Sequence, residues 1–382
     1  MATTGQPDWS FRFFDNREKY LLFVSTCNEK QIIAERIAMD IHYLMPKPPA
    51  LRVFDAGMGD ATVLSRLMKR LHRQFPTVPF LIVGKEISQE DLRIGLEKMS
   101  DRLSEHPQTV LVMTNMLYSE APKLYPNTPQ KQGKLNWLEV AFEGTSASEF
   151  DEQIRNLEPY VRDWWQTIPS PRTGNPVYAT PAVIVIYRKD QAWPLAPVIP
   201  RQGDQDYGYD LVIAAQPFRA KQSAETKVQQ VLAPLSRHLT PGGSMVVMQS
   251  TGKDPGMEII RTLWPDEEPF QTPRNLLLQT LHAQLAEARP DLRFLSYPDS
   301  RAEFRYDLQL QSSQVTSSIG TSTLMAAWNA ATYVAQVDDE RLREVMGHRD
   351  YLDVTEAVLH KYNGLWFIDE SFIVSRKTEE AA

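Results

Sequence analysis

Apolar residues in the first ordered-looking stretch, Arg17–Leu44, recur at Tyr20, Phe23, Ile32, Ile33, Ile37 and Ile41. That is close to a 3.6-residue period and predicts one amphipathic helix, with Tyr20 in the core, stopped by Pro46, Pro48 and Pro49. The pattern then changes to short apolar runs separated by longer amphipathic ones. Leu51–Asp55, Phe80–Glu86 and Thr109–Thr114 read as strands, and Ala61–Phe75 and Ser88–Leu103 as helices. Ser88 is a natural N-cap, with Asp91 three residues on. Strands alternating with helices predict a parallel sheet covered on both faces. Residues 121–206 break the alternation. The segment holds eleven of the 27 prolines, yet it also carries Trp137, Trp164, Trp165 and Trp193. Linkers seldom hold so many large aromatics, so a folded insertion is expected. The alternation resumes with strand Tyr209–Ala214, helix Ala224–Leu239, a Pro241-Gly242-Gly243 turn and strand Ser244–Gln249. Helix Leu276–Ala288 and strand Leu292–Tyr297 follow, and strand Leu365–Ser375 closes the chain. The expected organisation is a helical cap over 1–50, a core from 51–120, 207–298 and 364–376, the insertion, and a segment over 299–363 beside the core.

Composition narrows the class. Of 382 residues, 42% are hydrophobic and 23% charged, which is ordinary for a globular protein and excludes a wholly disordered chain. The longest apolar run, Ala182–Tyr187, falls far short of the roughly 20 residues of a membrane span. Met1–Phe11 lacks the basic start and apolar core of a secretory signal. A lone cysteine, Cys27, fits a reducing, cytoplasmic compartment and reads as a buried thiol. The net charge of −7 disfavours a nucleic-acid partner, and the basic run Lys69, Arg70, His72, Arg73 reads as a solvated helix face. The seven histidines are scattered without metal-ligand spacing, so no metal site is expected.

The strongest chemical signal is Asp55-Ala56-Gly57-Met58-Gly59, between the first strand and the helix after it. Glycines there let a ligand approach the backbone, and the helix start offers free N–H groups. Dinucleotide enzymes use G-x-G-x-x-G at this place, but here the third position is Thr62. Asp55 would repel a phosphate and suit a cation. Glu86, at the end of the second strand, is placed to accept both hydroxyls of a ribose.

The loop, Glu86, the strand Tyr209–Ala214 and the turn Leu239-Thr240-Pro241-Gly242-Gly243 together resemble class I methyltransferases. The resemblance implies a Rossmann-like, seven-stranded sheet and S-adenosylmethionine as cofactor, held by Asp55, Gly57, Gly59 and Glu86. Asn115, after the third strand, matches the position near the adenine. Segments at both ends resemble histamine N-methyltransferases: the opening Asp15–Gln31, Glu86-Ile87-Ser88, and the closing Gly364–Val374. By that resemblance Gln216 and Glu29 contact the substrate, Glu29 after a two-residue insertion, and Asp369 lies beside the family's asparagine in the last strand. The implied reaction is in-line methyl transfer to a small molecule, with an amine nitrogen as acceptor, and the insertion becomes a substrate lid with its tryptophans over the pocket. Two alternatives stand beside it. Ala215-Gln216-Pro217-Phe218 half matches the tetrapeptide of methyltransferases acting on exocyclic amines of nucleobases or nucleic acids. A methyltransferase-like fold can also bind without catalysing.

Overall fold

The computed structural model describes residues 17–170, 174–204, 208–309, 319–347 and 350–378. Asp15 and Asn16 of the opening segment lie outside them. Helices α1 (Arg17–Thr26) and α2 (Glu29–Ile41) precede strand β1 (Leu51–Asp55), helix α3 (Thr62–Gln74), β2 (Phe80–Lys85), helix α4 (Gln89–Glu97) and β3 (Thr109–Thr114). The insertion supplies β4 (Asn136–Phe142), β5 (Thr167–Pro169), β6 (Pro176–Tyr178) and β7 (Ala182–Arg188). The second half adds β8 (Tyr209–Ala215), β9 (Leu239–Ser250), β10 (Leu292–Leu295), β11 (Glu303–Asp307) and β12 (Trp366–Arg376).

Seven strands run in the order β3-β2-β1-β8-β9-β12-β10, with β12 antiparallel to both neighbours. This is the expected α/β, Rossmann-like sheet. Its parallel members are apolar on both sides because helices cover both faces, and two separate clusters of buried side chains result. A third cluster joins α1 to the helices Pro255–Leu263, Thr321–Val334 and Asp350–Tyr362 beside β12. Among the described residues no helix is long and apolar enough to cross a membrane.

Three local expectations change. The single helix over Arg17–Leu44 is two helices. Asn28 donates its N–H to the Asp307 carbonyl at 3.1 Å and accepts from the Asp307 N–H at 2.7 Å, so the unforeseen strand β11 pins the break. The helix over Ser88–Leu103 starts as expected, with the Ser88 hydroxyl accepting from Asp91 N–H, but breaks at Lys98. Pro241-Gly242-Gly243 is not a separate turn: it lies inside β9, where the pairing with β8 shifts register.

The insertion does two things. β7 pairs antiparallel with β3, and β4 pairs parallel with β7, so the sheet is widened at the β3 edge. The β5–β6 hairpin reaches the carboxyl ends of the strands and lines the cleft there with Asn175, Pro176 and Val177. Its tryptophans do not roof the cleft. Trp165 is buried in the core beneath Glu86, while Trp193 is 89% exposed.

Candidate active site

A cavity of about 710 Å³ opens at the carboxyl ends of β1, β2, β3 and β8, where ligands of open α/β sheets bind. Seven of the eight expected site residues line it: Glu29, Asp55, Gly57, Gly59, Glu86, Asn115 and Gln216. Asp369 lies just behind Gln216.

The glycine turn is held from two sides. The Asp55 carboxylate accepts from Gly57 N–H at 3.2 Å, and Glu86 accepts from Gly59 N–H at 2.8 Å. Gly59 has φ +52°, in the left-handed region that glycine enters without cost. Among the described residues a Cβ at Gly57 would meet nothing within 4 Å, so that backbone faces the cavity. The other oxygen of Glu86 accepts from the N–H groups of Ile87 and Ser88, both at 2.7 Å. From beneath, Trp165 donates its indole N–H to the Glu86 carbonyl at 2.7 Å.

Acids crowd this half of the cavity. Burial, reinforced by the charge of Glu86, pushes Asp55 up to about 7, against the pull of the Gly57 N–H and Lys30. Burial and then Glu86 push Asp91, on α4, up to about 6. A cation placed among these groups relieves both.

Two lysines and a tyrosine brace the turn, and the sequence reading passed over the lysines. Lys30 donates to the Tyr20 hydroxyl and to Asp60, both at 2.5 Å. Lys98 donates to Asp60 at 2.8 Å and to its carbonyl at 2.7 Å. Burial alone would raise the Asp60 carboxyl, but these two ammonium groups hold it well below the usual range. Tyr20, expected in the core, lines the cavity instead. The acid Asp60 directly after Gly59 was the one visible hint of this brace.

The other half of the site gathers the three candidate acceptor-side residues. Gln216 has φ +49°, a sparsely populated conformation for a residue with a Cβ. Its side-chain nitrogen donates to Ser250 Oγ and to Asp369 Oδ2, both at 3.0 Å. Both amide hydrogens are thereby spent, and the carbonyl oxygen is the end left for a ligand. Asp369 stands opposite Ser250 in the β12–β9 ladder and is fully buried. Burial, and then the nearby Glu29, raise its carboxyl well above the usual range. Among the described residues its second oxygen, Oδ1, has no partner. Burial pushes Glu29 up to about 7, against the pull of Lys30. Glu29 occupies this place because the break at Asn28 starts α2 there.

Asn115 is differently employed. Its amide nitrogen donates to the carbonyls of Trp164 at 3.1 Å and Thr180 at 3.0 Å, and its oxygen accepts from Ala182 N–H at 2.9 Å. With both N–H donors committed to fastening the insertion, Asn115 offers the cavity shape and no hydrogen-bond donor. Cys27 is buried, and burial pushes its thiol up, away from the reactive thiolate.

No family model matches the chain, and no curated protein does. Among solved structures, the chain is similar to loganic acid methyltransferase with SAH, at 9% identity over 99% of both chains, with a TM-score of 0.37. It is similar to geranyl diphosphate methyltransferase in complex with GPP and sinefungin, at 12% identity over 91% of this chain and 78% of that one, TM-score 0.33. It is also similar to the CcbJ methyltransferase from Streptomyces caelestis, at 13% identity over 58% and 50% of the two chains, TM-score 0.24. These neighbours share the methyltransferase class; the narrower likeness to histamine N-methyltransferases stays one of short segments.

Proposed function

We propose that the protein is an S-adenosylmethionine-dependent methyltransferase acting on a small molecule through an amine nitrogen. The observation that carries this reading is the pair Asp55 and Glu86 at the ends of adjacent parallel strands, flanking a glycine turn that is open at Gly57. The residues suit the cofactor. Glu86, with three backbone N–H groups accepted, keeps one further acceptor site on Oε2 for a ribose hydroxyl, and Asp55 suits an ammonium. When bound, the cofactor supplies a methyl group on a sulfonium, open to in-line displacement.

The chain's own residues do the rest. Gln216, fixed by Ser250 and Asp369, presents a carbonyl oxygen that accepts from an N–H of the acceptor amine and sets its direction. Holding an acceptor in line in this way can supply several kcal/mol of a barrier. Burial and the nearby Glu29 raise the Asp369 carboxyl, which disfavours a fixed negative charge in this corner that would hold the amine as ammonium. Glu29, with its carboxyl raised to about 7, is suited to take up the proton that a methylated amine releases.

The test is calorimetric titration with S-adenosylhomocysteine, followed by tritium transfer from labelled cofactor into a fractionated metabolite pool. Micromolar binding and label in a small amine support the proposal. Absence of binding overturns it. Label that enters RNA or DNA, in amounts falling steeply with salt, overturns the small-molecule part.

A further inference from the structure

Lys85 is the last residue of β2, one position before Glu86, and its side chain takes the opposite face of the sheet. Phe80 and Ile82 pack in the cluster under α3, whereas Leu81 and Val83 pack in the other, and Lys85 follows the latter pair. The residue is 8% exposed, and what is exposed lines the cavity. Its ammonium sits 4.7 Å from the centre of the Tyr118 ring. Among the described residues it has no hydrogen-bond acceptor and no ion pair. The neighbouring Glu86 charge favours this ammonium, but its carboxylate is turned to the backbone of Gly59, Ile87 and Ser88 and makes no hydrogen bond to it. The stem of Lys85 is buried while its ammonium, without a protein acceptor among the described residues, belongs to the cavity wall, so this group is one that a ligand would complete.

The surroundings say what kind. Tyr118 donates its hydroxyl to the Pro217 carbonyl at 2.9 Å, which ties the loop after β3 to the residue following Gln216. The wall therefore runs from Lys85 to the acceptor corner. Phe218 lines it with an aromatic face, and Gln229 and Gln230 add neutral amide donors. Those two glutamines lie in a π-helical stretch, Val228–Leu232, inside the helix after β8. Such widened turns are rare and frequent at functional sites. The Lys85 ammonium, amide donors and aromatic walls, with Arg219 lining the same cavity beside Phe218, match a negatively charged group on a compact body.

We propose that Lys85 anchors a carboxylate of the bound ligand, in a subsite walled by Tyr118, Phe218, Gln229 and Gln230. The proposal rests on the methyl-transfer reading, within which two molecules can bring that carboxylate: the methyl acceptor, which would then carry both an amine and an acid, or the cofactor through its own α-carboxylate.

Wild-type protein, Lys85→Met, Lys85→Gln and Lys85→Arg are compared in two binding assays. Calorimetry measures S-adenosylhomocysteine against its decarboxylated counterpart. Saturation-transfer NMR on the S-adenosylhomocysteine-saturated protein follows small carboxylic acids, each paired with its primary amide. For an acceptor carboxylate, all four proteins bind S-adenosylhomocysteine alike. The wild type and Lys85→Arg then prefer acids to amides, and the two neutral variants lose that preference. For the cofactor's carboxylate, the wild type favours S-adenosylhomocysteine over the decarboxylated compound by about ten-fold or more, and the neutral variants erase the difference. Either pattern supports the subsite and names its source. Neutral variants that match the wild type in both assays overturn it. A wild type that binds no S-adenosylhomocysteine overturns the methyl-transfer reading instead, and the acid–amide comparison on the free protein still reads Lys85.

Discussion

Asp55 and Glu29 are carboxyls that burial pushes up to about 7 in the folded protein, well above the ordinary carboxylate range of about 4. The folded state therefore holds their protons after the unfolded state has released its own. The stability this contributes is complete below about pH 4 and is lost as pH rises from there through 7. Urea denaturation at pH 5 and pH 7 should show that Asp55→Asn and Glu29→Gln each flatten the decline; wild-type slopes in both variants would contradict the assigned burial. Cofactor affinity should run the other way, rising through pH 7 as Asp55 ionises to receive a cation, and Asp55→Asn should remove that rise. Glu86→Ala should weaken S-adenosylhomocysteine binding by about 1.5–3 kcal/mol, roughly ten- to 150-fold. It also strips acceptors from three backbone N–H groups, so the glycine turn loosens and melting falls. Unchanged affinity would sink the cofactor assignment. Gln216→Ala should leave that affinity nearly intact and lower turnover about ten-fold or more, because the acceptor no longer meets the methyl carbon in line. Turnover equal to the parent's would reduce Gln216 to a strand-end hydrogen bond.

The strands of the core were legible because apolar runs bounded by Gly, Pro and acids carry their own signal, and Asp55, the glycines and Glu86 sit at fixed places on such runs. What escaped was decided by partners distant in sequence. Nothing in the sequence from Arg17 to Leu44 shows that Asp307 will capture Asn28, so the helix break that starts α2 at Glu29 was hidden. Lys98 likewise ends α4 because Asp60 and Thr62 receive its ammonium. The same holds for the insertion. Its tryptophans marked it as folded, but Val183–Ile186 is also an apolar strand, and that continued the sheet beyond β3. Trp165 consequently works from below, as a donor to the Glu86 carbonyl. Trp165→Phe keeps the ring's bulk and leaves that buried carbonyl without its partner. A loss of about 1–3 kcal/mol in denaturant unfolding is expected, with weaker S-adenosylhomocysteine binding, since Glu86 is then less firmly placed. A variant equal in both would mean that the insertion supports the sheet edge and has no bearing on the cofactor half.

β12 joins the far edge of the sheet to the acceptor corner, and it is clamped from both faces. Toward one face, Asp369 receives Gln216. Toward the other, the next residue, Glu370, is buried and accepts from Arg274 Nη1 at 2.6 Å, from Arg274 N–H at 2.8 Å and from Gln249 at 2.8 Å. Arg274 begins the helix Arg274–Leu285, and its guanidinium also reaches Asp299 and the Tyr297 carbonyl. One ion pair thus fastens β12, β9 and that helix together, directly behind the residue that orients Gln216. A buried pair stabilises little by its presence, but removing one member strands the other charge in the interior. Arg274→Met should therefore cost about 3–5 kcal/mol by urea unfolding. Glu370→Met should cost a similar amount, whereas the double variant should cost clearly less than their sum because no charge is left behind. In the double variant, S-adenosylhomocysteine affinity should persist, since Asp55 and Glu86 lie across the sheet at the carboxyl ends of β1 and β2. Turnover should fall with the loosened strand and the freed Gln216. Additive losses in the double-mutant cycle would show that Glu370 finds another partner. The clamp on β12 would then lie in the β9 ladder alone.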